Sequence, residues 1–182
     1  MTIDERCIRQ TEAEIARLEK ALEEAFERRG ASRSAWEAWK AAAERFRCYR
    51  SPVFELWSDE ARVAILQGKG AWRESAMLYL ALSPRFLRSG YLRDRLCHLL
   101  KQCDLSMCER SELRAILLET LVRRPSTGRF RHDCRLAARW ADDEFTARVR
   151  ELSTRKDGWV RGRARRMLDV IEQNEKLWSS KP

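Results

Sequence analysis

At 182 residues, with 44% apolar content and seven Trp, the chain can bury one sizeable core, and wholesale disorder is excluded. Seven Gly and four Pro are too few for a fold of many tight turns, so helix is the default reading. The net charge of +9 is uneven: residues 1–60 carry 11 Lys and Arg against 13 Asp and Glu, residues 61–182 carry 26 against 15. That asymmetry predicts a near-neutral N-terminal element joined to a basic body able to attract nucleic acid or an acidic protein. Arginine outnumbers lysine 30 to 7, a bias that a phosphate-binding surface and a GC-rich genome would both produce. The longest uncharged run, Ser75 to Pro84, is far short of the ~20 residues of a membrane span. The opening Met1–Arg6 is acidic without an apolar core and does not read as a signal peptide, and six Cys read as reduced thiols. A cytoplasmic protein without a membrane partner is expected.

Thr2 and Glu5 have capping-box spacing and Gly30 is a natural stop, which predicts a first helix over about 3–29. Ile8, Ile15 and Leu22 recur every seven residues, with Thr11, Leu18 and Ala25 three on, forming a narrow seam. The seam fits docking on the chain's own second helix. It also fits a homodimeric coiled coil, with Ile8, Ile15, Leu18 and Leu22 in contact. Ser34 and Glu37 restart a helix whose Trp36, Trp39, Ala43 and Phe46 share one face. Ser51-Pro52 ends it and opens a short helix, Pro suiting the first helical position.

The predicted organisation is a helical hairpin over 1–50, a basic helical body over 51–176 and a tail over 177–182. Body helices are expected at about 59–67, 71–82, 84–89, 91–103, 107–124, 128–141, 143–154 and 158–176. Breaks fall at Gly68–Gly70, Ser83-Pro84, Ser89-Gly90, Asp104–Ser106, Pro125–Gly128, Asp142 and Asp157-Gly158. Such short connections make consecutive helices antiparallel neighbours.

Leu152, Asp157, Val160, Arg161, Ala164 and Leu168 follow the spacing L-x4-D-x2-V-R-x2-A-x3-L. Val160, Ala164, Met167, Leu168 and Ile171 make one apolar stripe, Ala164 being small where helices approach, and Asp157 is a helix cap. This pattern resembles the second half of a HEAT repeat. Weaker echoes lie at Trp72-Arg73 with Ala76 and Leu80, at Leu92-Arg93 with Leu96 and Leu100, and at Phe130-Arg131 with Cys134 and Ala138. The resemblance implies an all-α fold in which the hairpin leads into a short HEAT-like helical solenoid or bundle. It also implies a structural ion pair for Arg161, while Arg163, Arg165 and Arg166 are not required by the core.

Arg131, Arg135 and Arg139 are spaced by four and form one stripe; Arg161 and Arg165 occupy equivalent positions on the last helix. If both helices line the inside of stacked hairpins, five guanidiniums share a concave surface and can follow DNA or RNA phosphates. The bland alternative is a solvated face partly neutralised by Asp133, Asp169 and Glu172. Trp140 and Trp159 are stacking candidates, although Trp at helical spacing is more often core. Cys97, His98, Cys103, Cys108, His132 and Cys134 are the one possible metal constellation, but they lack a C-x-x-C pair, and the cysteines read as structural thiols rather than zinc ligands. No phosphate loop or nucleophile elbow is present. HEAT-like folds do include DNA glycosylases, but no catalytic motif carries over to a residue here. The expectation is a non-enzymatic binding protein without metal or cofactor, its partner a nucleic-acid backbone or, alternatively, an acidic protein that it serves as an adaptor.

Overall fold

The computed structural model describes residues 2–123 and 130–179, with side chains through Asn174. Among the described residues the chain is all helical, with no strand. The elements are α1 (Glu5–Arg28), α2 (Arg33–Cys48), a 3-10 helix (Pro52–Trp57), α3 (Asp59–Leu66), α4 (Gly70–Leu82), α5 (Ser89–Gln102), α6 (Met107–Val122), α7 (Phe130–Trp140), α8 (Asp143–Leu152) and α9 (Gly158–Ser179). None of these helices is long and apolar enough to cross a membrane.

Cap chemistry sets most of these boundaries. Ser51 accepts from Val53 N and Pro52 opens the 3-10 helix; Asp142 accepts from Phe145 N, and Asp157 Oδ1 from Trp159 N and Val160 N. Ser106 and Glu109 form a reciprocal capping box at the start of α6. The first two helices start elsewhere than expected. Asp4, not Thr2, caps α1 by accepting from Cys7 N, and Ser32, not Ser34, caps α2 by accepting from Ala35 N. In each case the residue used stands three before the amide it satisfies.

The larger departure is at the helix expected over 84–89: residues 84–88 are not helical, and Ser89 already opens α5. Ser83 at φ 47° terminates α4 in the left-handed region, Pro84 has no N–H to continue it, and Arg88 at φ 69° precedes α5. Gly90, expected as a breaker, lies within the first turn of α5. The expected break at Pro125–Gly128 lies outside the described residues, as do the last three residues of the tail.

α1 and α2 form the N-terminal hairpin, with Phe26 edge-on to Trp39 and Trp36 tilted against Trp39. Ile8, Ile15 and Leu18 of the seam are buried within the chain and Leu22 is half-buried. The seam therefore packs on the protein itself. Ile3 N donates to Ser75 Oγ, Thr11 bonds Ser51, and Glu12 accepts from Arg85 N, so α1 runs along α4 and ties the hairpin to the body. On α2, Trp36 is exposed while Trp39 and Phe46 are half-buried.

The body has two layers. In one, α3, α5, α7 and α9 lie side by side and parallel. Arg95 reaches Ser58 O and Cys103 reaches Ile65 O; Arg93 meets Asp133 and Trp140 Nε1 donates to Leu100 O; Asn174 donates to Ala138 O. In the other, α4 and α6 are parallel, as Arg73–Glu109 near their starts and Arg123–Ala81 O near their ends require, and α8 follows α6. The core is the continuous apolar seam between them, from Leu56, Leu80 and Leu96 through Leu117 to Val160, Ala164 and Met167. Burying each of the Leu, Val and Met side chains among these contributes on the order of 1.5–3 kcal/mol.

Candidate functional site

Much of the arginine excess is spent on helix ends. Arg73 Nε and Nη2 donate to Ile65 O at the end of α3 (3.3 and 3.1 Å), and Nη1 reaches Asp104 O and Glu109 at 3.1 Å. Gly68, at φ 75°, leaves room for this guanidinium, since a Cβ there would lie 3.1 Å from Nη2. Arg123 donates to Ala81 O at 2.7 Å and pairs with Glu119; Arg114 donates to Trp140 O at 3.4 Å and pairs with Asp142. Each places positive charge on carbonyls that a helix C-terminus leaves without partners.

Burial of Glu109 raises its pKa, but the Ser106 backbone and hydroxyl and then Arg73 outweigh that, and the net direction is down from the ordinary 4.5. A depressed carboxylate stabilises the fold above its ordinary pKa, and that contribution disappears as pH falls through the folded value. Thermal unfolding of Glu109→Gln against wild type is therefore expected to show a Tm deficit at neutral pH that shrinks below about pH 4.5. A deficit independent of pH would contradict this.

Arg93 and Asp133 form a buried pair, 2.7 Å apart, with side chains 3% and 2% exposed. Burial alone would lower the guanidinium's pKa; Asp133 reverses it and the net direction is up. Arg93 also donates to Leu80 O at 2.8 Å. Arg163, expected to stand outside the core, is instead enclosed by it: only 8% exposed, it lies 4.0 Å over the Phe130 ring and 4.7 Å over Trp159. Its Nε and Nη2 make no hydrogen bond, and burial lowers its pKa. A buried cation without its own carboxylate is costly, so Arg163→Met is expected to leave Tm unchanged or raise it. A loss of several kcal/mol would show instead that the ring contacts dominate.

A separate set of cations shares one face of α7. Arg131, Arg135 and Arg139 are all exposed along α7. Arg131 Nε donates to His132 Nε2 at 3.3 Å, and that nitrogen lies 3.8 Å from Asp94. Arg139 stacks on the edge of the core at Trp140, 4.6 Å from the ring centre. Where α5, α7 and α9 meet, a groove of about 410 Å³ is lined by Lys101, Arg135, Arg139, Gln173 and Asn174, over a floor of Ala138 and Val170. Among the described residues no carboxylate pairs with Lys101, Arg135 or Arg139.

The five-arginine surface is thus assembled in part. Arg135 and Arg139 line the groove, with Arg131 one turn before Arg135 on the same α7 face. Arg161 instead turns back to donate to Arg155 O at 3.3 Å, and Arg165 is exposed on α9 without lining the groove. Trp140 is a core residue, 6% exposed, with Nε1 bonded to Leu100 O at 3.1 Å; Trp159 is half-buried against Arg163. Asp133, read from sequence as a surface counter-charge, is one of the most buried polar groups.

Cys97, Cys103 and Cys134 are buried thiols, and Cys48 and Cys108 are exposed. Burial, helped by Asp133, pushes Cys134 up to about 12, and the same two causes raise Cys97. Such thiols are poor nucleophiles. Among the described residues no three His, Cys, Asp or Glu side chains converge. Lys101, Gln173 and Asn174 were not anticipated as site residues, because nothing in the local sequence says that the last turn of α5 and the far part of α9 flank α7.

Comparison with protein-family models, curated proteins and solved structures finds no match for the chain. It is an all-α protein with ten helices among its described residues.

Proposed function

We propose that the protein is a non-enzymatic nucleic-acid-binding module that holds the phosphate backbone in the Lys101–Arg135–Arg139 groove, with Arg131 extending the contact along α7. The observation that carries this reading is the groove itself: three cations and two amides around one concavity, with no counter-ion among the described residues. Phosphate contacts need this chemistry and release condensed counterions on binding. The wider arrangement supports it. Parallel helices alternating between two layers are what stacked HEAT-like hairpins produce, and the groove lies on the outer side of one layer. Anisotropy of labelled duplex and single-stranded DNA and RNA with wild type and Arg135→Glu/Arg139→Glu is the test. Binding to none of these, even at low salt, would sink the reading and redirect the search to an acidic protein partner.

A further inference from the structure

At the opposite end of α5 from Lys101, a second cavity of about 570 Å³ opens where α2, the 3-10 helix and the α4–α5 connection meet. Phe46, Tyr49, Phe54, Trp57 and Phe86 line it, and Arg47, Arg50 and Arg88 stand around it. No Asp or Glu is among its described lining side chains. The rings are held edge to face: Tyr49 on Phe54 at 6.1 Å and Phe54 on Phe86 at 6.4 Å, the latter anchored on buried Tyr79. Arg50 is fixed by donating to Arg47 O and Tyr49 O, and Arg47 pairs with Glu44. Arg88 is the residue that the fold itself does not explain. It is exposed, adopts φ 69° and precedes α5 without a side-chain cap, so a cation sits where glycine would be easier and where the positive end of α5 opens.

An apolar, ring-lined hollow bordered by cations complements a planar aromatic group attached to an anion. A nucleotide has both parts. In a duplex the bases face each other and are closed to such a hollow; in a single strand they are free to stack. The helix between the two cavities carries exposed Tyr91 and His98, and Arg95 lies 5.9 Å over Trp57. From Arg88 to Lys101 is roughly 20 Å along a helix rising about 1.5 Å per residue. Single-strand sites of roughly 4–16 nucleotides cover that distance.

We infer that the aromatic cavity seats an unpaired base of a single strand, with Arg88 on the adjoining phosphate and the backbone continuing along α5 to the Lys101–Arg135–Arg139 groove. This inference rests on the phosphate reading of that groove and adds the substrate class: single-stranded rather than duplex nucleic acid.

The experiment measures affinity for a labelled oligothymidylate strand and for a blunt duplex of equal length. The proteins are wild type, Arg88→Gly, Tyr49→Leu and the groove variant Arg135→Glu/Arg139→Glu. Arg88→Gly removes the cation at a backbone angle that glycine favours, so it folds at least as well as wild type, which circular dichroism and Tm check. Each cavity variant is expected to lose about tenfold or more in strand affinity while duplex affinity stays within about twofold. Unchanged strand affinity, or equal loss for strand and duplex, overturns the cavity's role and leaves the groove intact. Unchanged binding by the groove variant overturns the reading beneath it.

Discussion

Asp133→Ala is expected to cost about 3–5 kcal/mol of stability, the largest effect of any single substitution considered, and to lower Tm steeply. The reason is the number of charges that depend on one carboxylate. Asp133 Oδ1 accepts from Arg93 at 2.7 Å, and its negative charge is also the favourable field at Arg163, which has no carboxylate partner of its own. Removing it leaves two guanidiniums buried between α5, α7 and α9 without a counter-charge. Arg93→Met alone is expected to be similarly damaging, because it strands Asp133. The double replacement Arg93→Met/Asp133→Leu removes both charges and is expected to cost less than either single change. Chemical denaturation of the four proteins checks this. A double variant as unstable as the sum of the singles would mean that packing, not charge, explains the pair.

Arg135→Glu/Arg139→Glu is expected to weaken nucleic-acid binding by about tenfold or more with no loss of fold. Both side chains are exposed on α7 and make no ion pair among the described residues, so their reversal breaks no salt bridge and gives up only the contact of Arg139 with the Trp140 ring. Arg161→Glu/Arg165→Glu changes the net charge by the same amount but acts away from the groove, and is expected to have the smaller effect. The comparison separates a local site from a general attraction between a basic protein and a polyanion. Equal losses in the two variants would favour the general attraction.

The fold was legible where chemistry is local. Ser51-Pro52, Asp142 and Asp157 name helix starts because a short oxygen-bearing side chain reaches an amide two or three residues on. The stop at Ser83-Pro84 was legible, but the non-helical run up to Arg88 was not, since left-handed backbone at Ser and Arg is imposed by packing rather than announced by glycine. The same limit applies to charge. Spacing by four correctly put Arg131, Arg135 and Arg139 on one exposed face. Periodicity could not tell that Arg163, two residues after the motif's arginine, enters the core, or that Asp133 is buried in a pair with Arg93. Those assignments depend on which helices become neighbours. Lys101 joins the groove for the same reason, across a separation of 34 residues from Arg135.

The most direct test of the proposal that the groove binds phosphate is the salt dependence of affinity. The logarithm of the association constant falls with the logarithm of salt concentration by about 0.9 per duplex phosphate neutralised, or about 0.7 for a single strand. In Lys101→Gln/Arg135→Gln/Arg139→Gln the slope is expected to be shallower than wild type by about two to three, with Tm preserved. An unchanged slope in that variant would contradict the assignment and exclude the α7 groove as the polyanion contact.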